Sequence, residues 1–196
     1  MVKIEVRGLE AALSVVESMA ARGRHTAPLM RHLGMIMLQS TAQNFEAGGR
    51  PEPWKPWSPL TRKVYEGQAV ARARATGRWQ RAGERGRRSI ERRYVERWVG
   101  GAKILHRSGD LKKSIVLGRV TDAYVEIGSS LPYARIHQLG GVVRPKNTGR
   151  LFVPAGDGFL LLRQATIPAR PFLVFQDEDR RAVVLAARDY LVEGRV

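Results

Sequence analysis

Polar and apolar residues alternate at the start of the chain, Val2, Ile4 and Val6 against Lys3, Glu5 and Arg7, and a period of two predicts a half-buried strand. From Gly8 the period becomes helical. Leu9, Ala12, Leu13, Val16, Met19 and Ala20 share a stripe that Gly23 ends. Thr26 is a candidate N-cap for a second helix with Pro28 in its first turn, and a stripe of Leu29, Leu33, Ile36, Met37 and Phe45 carries it to Gly48-Gly49. Pro51, Pro53, Pro56 and Pro59 then break regular structure between residues 50 and 60. Trp54 and Trp57 stand among them, either folded back as caps on the core or held out as a rigid docking arm with little entropy to lose.

Order resumes near Lys103. Ser108-Gly109-Asp110 is a helix-start signal with Asp110 as the expected cap, and Leu111 and Ile115 share one face. Val116 to Val120 and Tyr124 to Ile127 read as a hairpin. Pro132 opens a short helix in which Tyr133 and Ile136 are expected to pack inward, and Gly140-Gly141 stops it. Val142-Val143 and Leu151-Phe152-Val153 look like strands on either side of a loop, and Asp157-Gly158 is a hairpin turn returning through Phe159 to Arg163. Ile167-Pro168 and Arg170-Pro171 keep the chain extended before a last helix from about Gln176. Asp177, Glu178 and Asp179 suit the first turn of that helix, and Val183, Val184, Ala187 and Leu191 its buried stripe. The pattern is that of an α+β protein: a small, mostly antiparallel sheet packed against the N-terminal and C-terminal helices.

Length and charge refine this picture. A chain of 196 residues is one domain, or one domain with an appendage. The appendage falls at residues 62–100, with residues 1–61 and 101–196 as the α+β domain. Residues 62–107 hold 14 Lys or Arg against 4 Glu, spaced too evenly and with too few apolar partners to define a core-facing stripe. Such a segment is expected to be an extended or partly helical basic arm. Trp79, Tyr94 and Trp98 interleave its arginines, a weak signature of phosphate tracking and base stacking. The formal charge of +16 favours a polyanion such as duplex DNA, with Arg78, Arg81, Arg85, Arg87, Arg88, Arg92, Arg93 and Arg97 as candidate contacts. Arg outnumbers Lys 27 to 7, however, and a GC-rich genome produces the same skew. The absence of Cys excludes a disulfide framework and thiolate metal sites, and no apolar run has the length of a signal peptide or a membrane span.

Candidate chemistry is sparse. His25 and His32 lie seven apart with no third ligand, a poor metal spacing. Ser108, His106 and Asp110 crowd one loop without the separation a catalytic triad requires. Lone His137 suits a buried hydrogen-bonding role. Arg135 and Arg170, beside rigid glycines or prolines, suit either bidentate contacts to a neighbouring subunit or an internal salt bridge. No phosphate-binding loop, dinucleotide fingerprint, zinc spacing or nucleophile elbow is present, so neither an enzyme nor a cofactor is expected.

Four runs occur in order: Asn44 to Pro51 with Trp54 to Leu60, Lys103 to Ile115, Tyr133 to Gly141, and Ile167 to Leu173 followed by Asp177-Glu178-Asp179-Arg180. Together they resemble the phage virion morphogenesis family, the tail-completion proteins of Mu-like temperate phages, and the likeness is poorest near residues 62–100. The resemblance implies a non-enzymatic structural protein at the head-proximal end of the tail, in tail completion and head-to-tail joining. It implies a ring, hexameric to match tail symmetry, touching neck or connector and tail-tube proteins, with duplex DNA in its lumen. Its place is the virion tail or neck, and the host cytoplasm during assembly. Candidate interface residues are Trp54, Trp57, Tyr133, Arg135, His137, Arg170 and Phe172. The alternative is a DNA-binding accessory protein that uses the Arg-rich arm.

Overall fold

The structure, a computed structural model, describes residues 9–147 and 149–195. In chain order the helices and strands are α1 (Leu9–Arg24), α2 (Ala27–Ala47), α3 (Pro59–Arg74), α4 (Gly77–Gln80), α5 (Glu84–Val95) continued by a π turn (Glu96–Gly100), and α6 (Asp110–Lys113). Strands β1 (Val116–Val120) and β2 (Val125–Gly128), helix α7 (Ala134–Leu139) and strand β3 (Gly141–Val143) follow. Strands β4 (Leu151–Ala155), β5 (Gly158–Leu162) and β6 (Ala165–Ile167) lead to α8 (Asp177–Arg188) and a second π turn (Asp189–Glu193). The fold is α+β, as the periodicities indicate. The strand expected at residues 2–7 lies outside the described residues.

The strands form three separate antiparallel pairs, β1 with β2, β3 with β6 and β4 with β5, where one sheet was expected. Among the described residues, no pair bonds to another strand. The chain divides into two compact units. The first holds the described residues up to Gln43, Ser114–Ser130 and the segment from Leu173; the second holds Asn44–Lys113 and Leu131–Phe172.

In the first unit, Gly34 of α2 lies under the side chains of Leu117 and Val125, where any Cβ would collide with them. One expected cap is supplied from elsewhere in the chain. The Asp122 carboxylate of the β1–β2 turn accepts from Ala27 N at 2.8 Å, and Thr26 Oγ1 donates to the Asp122 carbonyl instead of capping its own helix. Asp179 accepts from Gln176 N at 2.8 Å, as a first-turn acid should, and also from Ser40 Oγ at 2.7 Å, which ties α8 to α2. Arg22 donates to the carbonyls of Leu191 and Val192, and Tyr190 Oη to that of His25. The expected apolar stripes are only partly covered: Leu13 and Val16 on α1 and Val184 on α8 are exposed, and Leu185, outside the stripe, is exposed beside Val184. No element among the described residues of this unit packs over them.

In the second unit, residues 62–100 are helical almost throughout, and they have a buried stripe after all: Val64, Ala69 and Ala73 of α3, Ile90 of α5 and Val99. Alanines occupy part of it, so the helices meet closely without the large apolar residues that betray a stripe in the sequence. Ser58, rather than the prolines, sets the start of α3, its hydroxyl accepting from Thr61 N at 3.1 Å. The α6 cap also shifts, Ser108 Oγ accepting from Asp110 N at 3.4 Å while Asp110 is already helical.

Candidate functional site

The centre of the second unit is an aromatic cluster drawn from distant segments. Phe45 at the end of α2 is fully buried, with Trp54 edge-on at 5.5 Å and Phe172 at 5.4 Å between ring centres. Backbone groups lock the three in place. Trp54 Nε1 donates to Pro171 O at 2.8 Å, Asn44 Nδ2 to Phe172 O at 2.9 Å, and Phe172 N to Gln138 Oε1 at 2.9 Å. Arg170 is only 6% exposed. Among the described residues it forms no salt bridge: its Nε donates to Lys55 O at 2.9 Å and its Nη2 to Pro56 O at 3.2 Å, so the guanidinium holds the proline-rich loop. Burial holds its pKa below the usual arginine value. The antiparallel ladder of β3 and β6 pairs Gly141 with Ile167, which brings the run Tyr133 to Gly141 beside the run Ile167 to Leu173. Gly140 has φ +72°, and a Cβ there would stand 2.7 Å from Ala169 N, so only glycine turns the chain this closely.

His137 falls in the same region. Its Nδ1 is buried without a hydrogen-bond partner; it is the His137 carbonyl that accepts, from Arg170 N at 2.7 Å. Burial first, and the nearby Arg170 charge second, hold the imidazole below its ordinary pKa. Tyr133, expected to pack inward, is 40% exposed, and Ala134 takes the buried position instead. Arg135 is exposed as well. Trp54, Arg170 and Phe172 are therefore buried, Trp57 and His137 are half-buried, and Tyr133 and Arg135 carry the accessible surface.

The arm residues separate in a similar way. Arg78, Arg81, Arg85, Arg88, Arg92, Arg93 and Arg97 are exposed. Arg87 is half-buried, stacked 4.6 Å over Trp79 with Nε donating to the Trp79 carbonyl, a structural role. Arg74 joins α3 to α5 and to the β4–β5 turn, with Nε 3.0 Å from Glu91 Oε1 and Nη1 3.0 Å from Asp157 Oδ2. The carboxylate of Glu91 also accepts from Trp79 Nε1 at 3.1 Å.

Between α3, the π turn and the loop at residues 101–107 opens a cavity of about 740 Å³. Tyr65, Gln68 and Arg72 reach it from one face of α3, and Tyr94, Arg97 and Trp98 from one face of α5 and its continuation. Those spacings, i to i+3 and i+7 and i to i+3 and i+4, are the signal by which the sequence could have revealed the cavity. Arg72 stacks 4.0 Å over Trp98, and Arg107 lies 5.1 Å over Tyr65 with Nη2 donating to Gln68 Oε1 at 2.8 Å. Lys103 and Lys112 both pair with Glu46, at 2.9 and 2.5 Å, and these contacts, the Lys103 hydrogen bond foremost, lower the Glu46 pKa to about 2. Among the described residues, no group of three His, Asp or Glu could hold a metal ion, and no helix is long and apolar enough to cross a membrane.

A model of the phage virion morphogenesis family matches residues 5–192. The chain belongs to that family. Its part is therefore in building the phage particle, and the match runs through the basic helices at residues 62–100, where the motif likeness was poorest. The chain is also 29% identical over 194 residues to "Mu-like prophage FluMu G protein 2" of Haemophilus influenzae, covering 97% of this chain and 96% of that protein. No solved structure matches it. For this phage virion morphogenesis protein, three of the runs that carried the resemblance, Asn44 to Leu60, Tyr133 to Gly141 and Ile167 to Leu173, meet around Phe45. The Lys103 to Ile115 run borders the cluster through His106, whose ring lies 6.0 Å from that of Phe45.

Proposed function

We propose that this protein is a non-enzymatic structural component that completes the tail and joins it to the head, working as a ring at the head-proximal end. The observation that carries the reading is kinship along nearly the whole chain to a virion morphogenesis family. The exposed apolar surface supports a ring in particular. One face of the β4–β5 hairpin presents Phe152 and Phe159, 61% and 66% exposed, with Leu161 beside them, while the first unit presents Val184 and Leu185 on α8. Two unlike apolar faces on one chain suit a head-to-tail contact between copies, the kind that closes into rings. A hexamer matches tail symmetry, with the exposed arginines of α5 turned to a neck or tail protein or to DNA in the lumen. Electron microscopy of lysates from a parent prophage with this reading frame interrupted tests it. Full heads apart from tails, or tails of abnormal length, are expected; normal infectious particles overturn the reading.

A second reading, a free-standing DNA-binding accessory protein, draws on the exposed arginines from Arg78 to Arg97. It requires tight duplex binding by the isolated protein whose affinity falls steeply with salt, several units on a log–log plot. Weak binding removes it.

A further inference from the structure

The cavity between α3 and the π turn has an unusual lining for its size. At about 740 Å³ it lies within the range of small-ligand cavities, roughly 300–1,000 Å³. Such cavities are ordinarily lined by a mixture of aliphatic and aromatic side chains with a few placed polar groups. Here the large lining groups are rings, Trp57, Tyr65, Tyr94, Trp98 and His106, and no Val, Leu, Ile or Met is among them. The charged lining groups are Arg72, Arg97, Lys103 and Arg107, with no carboxylate. Lys103 is engaged by Glu46, which it shares with Lys112, so the three guanidinium groups are the cations left facing the cavity without a carboxylate.

Two of those groups are preorganised. Arg72 is held 4.0 Å over Trp98 and Arg107 5.1 Å over Tyr65; Arg107 gives Nη2 to Gln68 Oε1, and its remaining N–H groups, with those of Arg72, are placed for contact to an oxyanion. His106 Nε2 is buried beside the cavity without a hydrogen-bond partner, one further polar group available to a ligand. A ligand that matches must be planar and aromatic at one end and anionic at the other. An acidic peptide brings the anion, but its aliphatic side chains would meet only rings. The bases of duplex DNA are stacked away inside the helix and cannot enter.

We infer that this cavity is a binding site for an unpaired nucleotide, its base against the Trp57, Tyr94 and Trp98 rings and its phosphate on Arg72, Arg97 and Arg107. The source is either a free nucleotide or an unpaired end of a DNA strand. The inference goes beyond the role in tail completion and does not depend on ring formation; it is also distinct from duplex contact by the outer face of α5.

The test is fluorescence anisotropy of the full chain with a labelled, 5′-phosphorylated four-residue oligothymidylate at fixed salt, competed by dTMP, inorganic phosphate, a blunt duplex and a glutamate tetrapeptide. The oligonucleotide is expected to bind, with dTMP competing well ahead of phosphate, duplex and peptide if the site takes free nucleotides. A strand end as the source is indicated if dTMP competes poorly and the unlabelled oligonucleotide alone competes well. Arg72→Gln together with Arg107→Gln should weaken binding roughly tenfold or more, as loss of phosphate contacts and stacking requires. Arg97→Gln, at an exposed position that carries no core packing, should weaken it severalfold even if the double variant folds poorly. Arg85→Gln with Arg88→Gln should leave it unchanged. Failure of the oligonucleotide to bind, equal competition by duplex or by glutamate peptide, or unchanged affinity in Arg97→Gln overturns the assignment.

Discussion

Gly67 of α3 and Gly156 at the β4–β5 turn meet backbone to backbone. A Cβ on Gly67 would stand 3.1 Å from Gly156 N, and one on Gly156 3.1 Å from Gly67 O. The contact seats the hairpin on α3, where Gln68 Nε2 donates to Pro154 O at 3.0 Å and Arg74 pairs with Asp157. Glycine in mid-helix ordinarily costs about 1 kcal/mol relative to alanine, so its presence at position 67 marks a packing requirement.

Gly67→Leu should therefore destabilise the protein by about 1–3 kcal/mol, the usual penalty for overpacking, with the hairpin as the first element to lose protection in hydrogen exchange. Gly156 has φ +65°, so Gly156→Ala should cost about 1–2 kcal/mol from backbone strain alone. A chemical denaturation midpoint unchanged in both variants would refute the contact.

Arg170→Ala removes a guanidinium that holds Lys55 O and Pro56 O, and the proline-rich loop keeps only its Trp54 side of the tie to the 171–172 segment. A loss of about 2–3 kcal/mol is expected in urea denaturation, with Trp54 becoming more accessible to a fluorescence quencher. Arg170→Lys should recover little of this, since an ammonium lacks the fork that reaches both carbonyls.

Burial and Arg170 keep His137 neutral in the folded chain below its ordinary pKa of 6.5. The unfolded chain then binds the proton first as pH falls, so stability is present above about pH 6.5 and declines as the pH drops from there through the lower folded value. The thermal midpoint should fall between pH 7 and pH 5. In His137→Gln this part of the decline should vanish; an identical pH profile in the variant would show that the imidazole is not the group responsible.

Glu46 titrates at about 2 because Lys103 and Lys112 hydrogen-bond and attract its carboxylate. A depressed acid stabilises the fold above its unfolded value of 4.5 and loses that contribution as pH falls through the window down to about 2. Carboxyl chemical shifts should place the Glu46 midpoint near 2, and Lys103→Gln with Lys112→Gln should move it back toward 4.5.

Removing the exposed charges of α5 by Arg85→Gln, Arg88→Gln, Arg92→Gln and Arg93→Gln should change stability by no more than about 0.5 kcal/mol per site. Joining of heads to tails in extracts should nevertheless fall. The sequence singled out Arg87 with these, but its stacking on Trp79 makes Arg87→Gln a test of packing rather than of surface charge. Unchanged joining in the fourfold variant would remove the arm from the proposed joint.

The sequence by itself determined the elements whose cause is local. The stripe of α2, the stops at Gly48-Gly49 and Gly140-Gly141 and the acidic first turn of α8 follow from backbone sterics and neighbouring side chains within a few residues. The β4–β5 hairpin was legible too, but its turn residues are Gly156 and Asp157, one position before the Asp157-Gly158 signal, because Gly156 takes the positive φ of +65° and Gly158 already pairs with Ala155. Family membership was legible for the same reason, as short rigid motifs in order. Tertiary structure alone decided which distant groups meet. Asp122 caps α2 from a hairpin 95 residues away, Arg170 holds carbonyls near residue 55, and the buried stripe of α3 and α5 relies on alanines that look neutral in a sequence. It also decided that Leu13, Val16 and Val184 stay exposed despite their helical spacing. Periodicity states which residues share a face; only the folded chain states what covers that face, because burial depends on contacts between segments that no local pattern encodes.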